Sequence, residues 1–377
     1  MKFIHISDIH IGAKPDSNYP WGVMREKEIL SSFNRIIDIC NEKEIDLLLI
    51  SGDLFHKQPL IRELKEVNYS FEKLIKTKVI IIAGNHDYIG ARSNYVGFDW
   101  CNGVHMLMEE DMDSIYLEDI NTEVYGFSYH TRDITKPMYN KVRPGCEERI
   151  NILLAHGGDE KNIPIDKKAV LNNGFDYVAL GHIHKPELFG ERMAYAGSLE
   201  PLDKNETGPR GYIMGEIIKE EVISHIHLDF IPHSVREYVK VELPIQPSFT
   251  NGALMDMAKA KIKEYGEQNI YIFQITGFRD ADISFQKEDI YSLGNVIEVI
   301  DDTVPDYDFE ALYQENQDNM IGLYIKGIKV QSEKVKNQEV VGKKALYYGL
   351  EALLGAKDNK MLITKILQSM ISLLEQK

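Results

Sequence analysis

Short apolar runs that end abruptly in His, Asp or Asn recur through the first half of this chain, and no other feature restricts its fold as much. FIHIS leads into Asp8 and His10, LLLIS into Asp53, VIIIA into Asn85 and His86, INILLA into His156, and YVALG into His182 and His184. Apolar runs of this length, rich in β-branched residues, read as buried strands. Amphipathic stretches lie between them: Glu28 to Cys40, with Ile29, Phe33, Ile36, Ile37 and Cys40 on one side, and Glu63 to Ile75. Apolar strands alternating with amphipathic helices predict a layered α/β core with sheet surfaces covered on both sides. In such sheets a site forms beyond the carboxyl ends of the strands, where residues distant in sequence converge.

The converging groups are the oxygens of Asp8, Asp53 and Asn85 and the imidazoles of His10, His156, His182 and His184. Buried together without a cation, two carboxylates and several imidazoles would be badly under-satisfied, whereas two divalent cations give each a partner. Taken singly the motifs say little, since an Asp after a strand can simply cap the next turn. GNHD is more specific, and GHIH sets two imidazoles on one face of an extended segment. The information lies in the ordered set.

Those motifs, DIH, GD, GNHD, HG and GHIH over residues 8 to 184, resemble the calcineurin-like metallophosphoesterases. The resemblance implies an α/β fold built as a four-layer β-sandwich flanked by helices, in place of a simple doubly wound sheet. It also implies that Asp8, His10 and His184 hold one metal, that Asn85, His156 and His182 hold a second, and that Asp53 bridges them. His86 would not be a ligand; it would steady the transition state or protonate the departing oxygen. The chemistry implied is two-metal phosphoester hydrolysis, in which the cations acidify a water and neutralise phosphoryl charge. Nitrogen and oxygen donors with an Asn carbonyl suit Mn²⁺ better than a thiolate-seeking ion, leaving Fe²⁺ and Zn²⁺ open.

Longer motifs narrow the substrate. GDLFHKQP, WGVMREKEILSSF, GHIHKP and YAGSLEPLDKNETGPRGY together are similar to the SbcD-type DNA-repair exonucleases, relatives of the Mre-eleven nuclease, over about residues 1 to 230. This resemblance implies exonuclease action 3′ to 5′ on duplex ends with single-strand endonuclease activity, and a role for His56 in positioning the DNA phosphate. Arg25 and Lys57 are candidate substrate contacts from their nearness to the motifs. A small-nucleotide phosphodiesterase or phosphatase is one alternative, and a non-catalytic scaffold for an ATPase is another. The scaffold would be marked by a missing ligand, and none of the seven is missing. His5, His105, His130, His225 and His227 lie outside the motifs and are assigned no function.

With 377 residues the chain exceeds what one core normally holds. The reading gives a nuclease domain over 1–232, a small α+β capping domain over 233–330, and a C-terminal helical segment over 331–377. The capping domain reads as β-α-β-α-β without a metal motif. In the tail, ALYYGLEALLG and MLITKILQSMISLL carry apolar stripes suited to a helical hairpin. By resemblance that hairpin docks on the coiled-coil base of an SbcC-type ATPase; a homodimer, usual in the family, stays open. The formal charge is −16, divided as −21 over residues 1–325 and +5 from Lys326 onward. Such an acidic body argues against indiscriminate nucleic-acid binding by the whole surface. No apolar run nears the ~20 residues of a membrane span, and three widely spaced cysteines with no export signal predict a reducing cytoplasm.

Overall fold

The computed structural model describes residues 1–334 and 346–350. They divide into two units, one of residues 1–239 with 268–270, the other of 240–267 with the described residues from 271 onward.

In the first unit β1 (Lys2–Ile6), β2 (Leu47–Ser51), β3 (Lys78–Ile82) and β4 (Val104–Met106) run parallel, side by side in chain order. A second sheet is formed by β5 (Asp113–Leu117), β6 (Thr122–Gly126), β7 (Ile150–His156), β8 (Tyr177–Gly181), β9 (Glu187–Leu188) and β10 (Met193–Tyr195). Its order is β5-β6-β7-β8-β10-β9. The chain then returns to the first sheet, adding β11 (Gly211–Glu220) antiparallel to β1 and β12 (Ile223–Pro232) outside it. Each sheet therefore has six strands.

Side-chain alternation along the strands builds the layers. Phe3, Leu47, Leu49, Ile80 and Ile82 of the first sheet pack with Ile152, Leu154, Tyr177 and Ala179 of the second, forming the core between the sheets. Their neighbours Ile4, Ile6, Leu48, Ile50 and Ile81 face the opposite way, onto Ile29, Phe33, Ile36 and Ile37 of α1 (Gly22–Glu42) and Leu64 and Val67 of α2 (Ile61–Phe71). On the far side of the second sheet Leu153, Ala155, Val178 and Leu180 pack with Val170 of α3 (Lys167–Leu171) and with Tyr129, Tyr139 and Tyr195. This is the mixed α/β sandwich with helical flanks that the motif order implied. Because strands buried on both faces need apolar residues at every position, they read as continuous runs and not as alternation.

His5 breaks that apolar pattern. It is fully buried on β1, with Nδ1 2.9 Å from the Tyr177 hydroxyl and Nε2 2.8 Å from Ser51 Oγ, so it ties the two sheets together. Burial pushes its pKa from 6.5 down to about 3, against a smaller upward pull from Asp8. The unfolded chain protonates this group near its ordinary pKa while the folded chain does not. Its contribution is thus full above pH 6.5 and lost as the pH falls toward 3, up to about 5 kcal/mol. His5→Gln keeps hydrogen-bonding capacity without titrating, and should move the acid-unfolding midpoint of the metal-free protein lower. An unchanged midpoint would remove His5 from the account.

The second unit carries β13 (Tyr238–Ile245), α4 (Asn251–Tyr265), β14 (Ile270–Arg279), α5 (Lys287–Tyr291), β15 (Val296–Asp301) and β16 (Val304–Pro305), with two strands reaching the unit boundary. Parallel β14–β15 pairing lies at the centre of this sheet. Thr250 Oγ1 caps α4, accepting from the Ala253 N–H at 3.2 Å, and Gly266 with φ +109 ends it. The sequence reading placed no helix between this module and the tail hairpin, yet α6 (Phe309–Glu315) and α7 (Met320–Lys334) follow it. Ile325 packs with Leu346 and Leu350, against Tyr307, Phe309 and Leu312. Residues 346–350, within ALYYGLEALLG, are helical, whereas the apolar stripe predicted over 363–374 lies outside the described residues.

Candidate metal centre

Every motif side chain singled out as a ligand sits at or just past the carboxyl end of a strand, and the backbone there is unusual. Asp8, His10, Asp53 and His182 all take positive φ, at 49°, 52°, 51° and 92°. Non-glycine residues rarely adopt that region, and strain of this kind gathers at functional sites. The glycines before Asp53 and His182 have steric reasons. Gly52 has φ +90 and a Cβ there would run into the His156 ring, while a Cβ on Gly181 would overlap the Ser51 carbonyl. The Gly of GD and the Gly of GHIH thus let two strand ends from different sheets approach one another.

The side chains form two sets that share one carboxylate. In the first, His10 Nε2 lies 3.1 Å from His184 Nε2 and 3.7 Å from Asp53 Oδ2, with His184 Nε2 3.8 Å from Asp8 Oδ1. In the second, Asn85 Oδ1 lies 2.9 Å from His156 Nε2 and 3.2 Å from His182 Nδ1, and His156 Nε2 is 3.6 Å from the same Asp53 Oδ2. Asp53 Oδ1 meanwhile accepts the His86 backbone N–H at 2.9 Å, and Asp8 accepts that of His182. The structure brings all seven of these side chains together, with Asp53 Oδ2 within 3.7 Å of a histidine from each set.

Electrostatics in this cluster call for cations. Asp8, Asp53, His10 and His156 are all buried, and the ion-pair partners of Asp8 and Asp53 among the described residues are histidines. Burial, with Asp87 and Asp8 nearby, raises the Asp53 carboxyl well above its usual range. His10 is driven well below its ordinary pKa by burial and by the neighbouring His184, His86, His56 and His156, and His156 is pushed down to about 4 by burial. The His10 and His184 rings in contact at 3.1 Å, with buried carboxylates beside them, are an N/O donor set suited to divalent metals. His10 turns Nε2 toward His184 and Asp53, while its buried Nδ1 has no hydrogen-bond partner among the described residues. The residues fit a dinuclear centre.

At the rim stand the two other histidines predicted to act. His86 Nδ1 is 3.0 Å from the His56 carbonyl, and Nε2 has no hydrogen-bond partner among the described residues. Its ring lies 4.8 Å from that of His10 and 5.3 Å from that of His56, itself exposed. Asp87 is fully buried, accepting from the N–H groups of Gly84 and Phe55 and from the Tyr95 hydroxyl, so it organises the turn that presents His86. Lys57 is exposed beside His56.

Arg25 does not fit the substrate contact expected of it. Its side chain is wholly buried, with Nη1 2.8 Å from Glu28 and 3.4 Å from Glu200 and Nη2 donating to the Pro201 carbonyl at 2.6 Å. A guanidinium enclosed in this way has no face left for a phosphate, and it pins α1 to the segment after β10.

Several supporting residues were missed. The Tyr129 hydroxyl donates to the His156 carbonyl at 3.0 Å, and the His156 N–H donates to the Tyr139 hydroxyl at 3.1 Å. Asp159 Oδ2 stands 2.7 Å from His182 Nε2, and Glu206 Oε1 2.6 Å from His184 Nδ1. Asp159 follows the HG motif closely enough to have been suspected; nothing local marks the tyrosines or Glu206.

A family model for calcineurin-like phosphoesterases matches residues 1–186. A DNA double-strand break repair protein Mre11 of Methanocaldococcus jannaschii is 31% identical over 284 residues, an alignment covering 70% of this chain and 75% of that relative. The chain belongs to the calcineurin-like metallophosphoesterase family. Another relative is an uncharacterized metallophosphoesterase, YhaO, of Bacillus subtilis, 27% identical over 243 residues, with 59% of each chain covered. The Mre11 protein of Archaeoglobus fulgidus is 24% identical over 278 residues, covering 64% of this chain and 61% of that one. Metallophosphoesterases bind a dinuclear metal centre, and among the described residues three groups have donor atoms close enough to hold an ion: Asp8–His10–His184, Asp8–Asp53–His156 and, toward the rim, His10–His56–His86. No helix among the described residues is long and apolar enough to cross a membrane.

Proposed function

We propose that this metallophosphoesterase is a Mn²⁺-dependent DNA exonuclease, acting 3′ to 5′ on duplex ends and endonucleolytically on single strands, in DNA repair in the cytoplasm. The observation that carries the reading is the likeness to Mre11, which covers 70% of the chain and so runs well past the 186 residues of the common family segment. Residues 233–330 then cap the site, and 331–377 dock on an SbcC-type ATPase. A basic balance in that tail, set against the acidic body, is in keeping with a partner-binding or DNA-proximal role.

In this reading Asp8, His10 and His184 hold one cation, Asn85, His156 and His182 the other, and Asp53 both. When bound, the pair supplies Lewis-acid polarisation of the phosphoryl group and acidification of water. The chain's own groups do the rest. His86, with Nδ1 donating to the His56 carbonyl, presents Nε2 to a phosphoryl oxygen or to the departing oxygen. His56 and Lys57, both exposed at the rim, take the phosphate backbone, which fixes register without reading sequence.

End-labelled duplexes test the polarity. With Mn²⁺, a duplex labelled at its 3′ ends should lose label as mononucleotide from the earliest times, while 5′ label persists in progressively shorter strands. Early mononucleotide release from 5′ ends would overturn the stated direction.

A further inference from the structure

The two histidines of GHIH face the metal cluster through different ring nitrogens, and each has a carboxylate on the nitrogen that points away. His182 presents Nδ1 to Asn85 Oδ1, and its Nε2 is 2.7 Å from Asp159 Oδ2. His184 presents Nε2 to His10 and Asp8, and its Nδ1 is 2.6 Å from Glu206 Oε1. A neutral imidazole carries one proton, and an ionised carboxylate only accepts. We infer that Asp159 and Glu206 are positioning residues that fix opposite tautomers on these two histidines, Nε2–H on His182 and Nδ1–H on His184, so that each turns a lone pair toward a different metal. This rests on the dinuclear reading of the site.

Both carboxylates are themselves held in place. Asp159 Oδ1 accepts from the backbone N–H groups of Lys161 and Asn162 at 2.7 and 2.8 Å, and the Asn162 amide reaches both of its oxygens. The loop carrying it is anchored by the Tyr195 hydroxyl, which donates to the Gly157 carbonyl at 3.0 Å, and Gly158, at φ +132, leaves that hydroxyl room that a Cβ would take. Glu206 Oε2 accepts the Leu202 N–H at 3.0 Å with Arg210 Nε 3.9 Å away, which leaves Oε1 for His184. Neither carboxylate lies within the two ligand sets, yet Asp159 reaches a histidine of one set and Glu206 a histidine of the other. Carboxylate partners of ligating imidazoles orient the ring and raise its basicity, and their removal typically costs about 10–100-fold in metal affinity.

Opposite tautomers are a prediction that generic stabilisation does not make. Long-range ¹H–¹⁵N spectra of the metal-free full chain, at a pH where both rings are neutral, should show His182 as the Nε2–H form and His184 as the Nδ1–H form. Glu206→Ala should release only the His184 tautomer and weaken one of two Mn²⁺ sites about 10–100-fold by calorimetry. Asp159→Ala should do the same for His182 and the other site, and Glu206→Gln, whose carbonyl still accepts, should restore most of the loss. The same tautomer on both rings in the wild type, or alanine variants that lower both sites equally, would overturn the assignment even while wild type binds two ions. Wild-type protein that binds no Mn²⁺ but keeps the opposite tautomers would instead overturn the metal reading, leaving the tautomer assignment intact.

Discussion

Replacing His86 with alanine should lower Mn²⁺-dependent DNA cleavage by about 10²–10⁴-fold, the usual contribution of a positioned proton-transfer or charge-stabilising group, while two Mn²⁺ ions still bind. The separation follows from the geometry. His86 gives the cluster its backbone N–H, which bonds Asp53 at 2.9 Å and which alanine keeps, while its side chain bonds only the His56 carbonyl among the contacts of this turn. Asp87, which organises the turn through Gly84 and Phe55, is untouched by the change. Calorimetry beside single-turnover cleavage would check both halves. A variant that loses metal as it loses activity would make His86 a ligand, and one with wild-type turnover would remove it from the chemistry.

The second large effect has opposite signs for stability and activity. Asp53 is buried with Asp8 and Asp87 close enough to raise its pKa, so the metal-free protein carries repulsion that cations would relieve. Asp53→Asn keeps a carbonyl for the His86 N–H but removes the charge. It should stabilise the metal-free fold by about 0.5–2 kcal/mol, as relief of an active-site strain commonly does, yet abolish cleavage because both ligand sets share this oxygen. Mn²⁺ should raise the melting temperature of the wild type, since a ligand bound only by the folded state stabilises it, and should leave that of Asp53→Asn nearly unmoved. A variant that is less stable without metal, or that retains the wild-type Mn²⁺ shift, would contradict a shared bridging carboxylate.

The residues that the fold gathers into one cluster were legible because their chemistry is incompatible with where they stand. An apolar strand that ends in Asp, Asn or His has to satisfy that group somewhere, and five such ends share one solution. Less was legible where the partner is remote. Arg25 looked available for a phosphate because its partner Glu200 lies 175 positions away, and no local pattern forecasts that pairing. Tyr129 and Tyr139 stand outside every motif, yet both are buried and their hydroxyls grip the backbone of His156. The pairing of β11 against β1 likewise joins segments some 200 residues apart, with registers such as Phe3 to Gly215 that local periodicity does not encode. Helix starts were blurred too. α1 begins at Gly22, before the first apolar-periodic residue, and its Ncap Trp21 makes no side-chain cap that could have marked it.

The most direct test of the account is the rate of Mn²⁺-dependent cleavage of duplex DNA set beside that of a small phosphodiester such as bis-p-nitrophenyl phosphate, with the wild-type full chain. The account predicts metal-dependent loss of duplex ends that chelation abolishes and His86→Ala largely removes. Efficient hydrolysis of the small diester with DNA left intact, even with a coiled-coil ATPase partner added, would contradict the nuclease reading and make this a small-nucleotide phosphodiesterase.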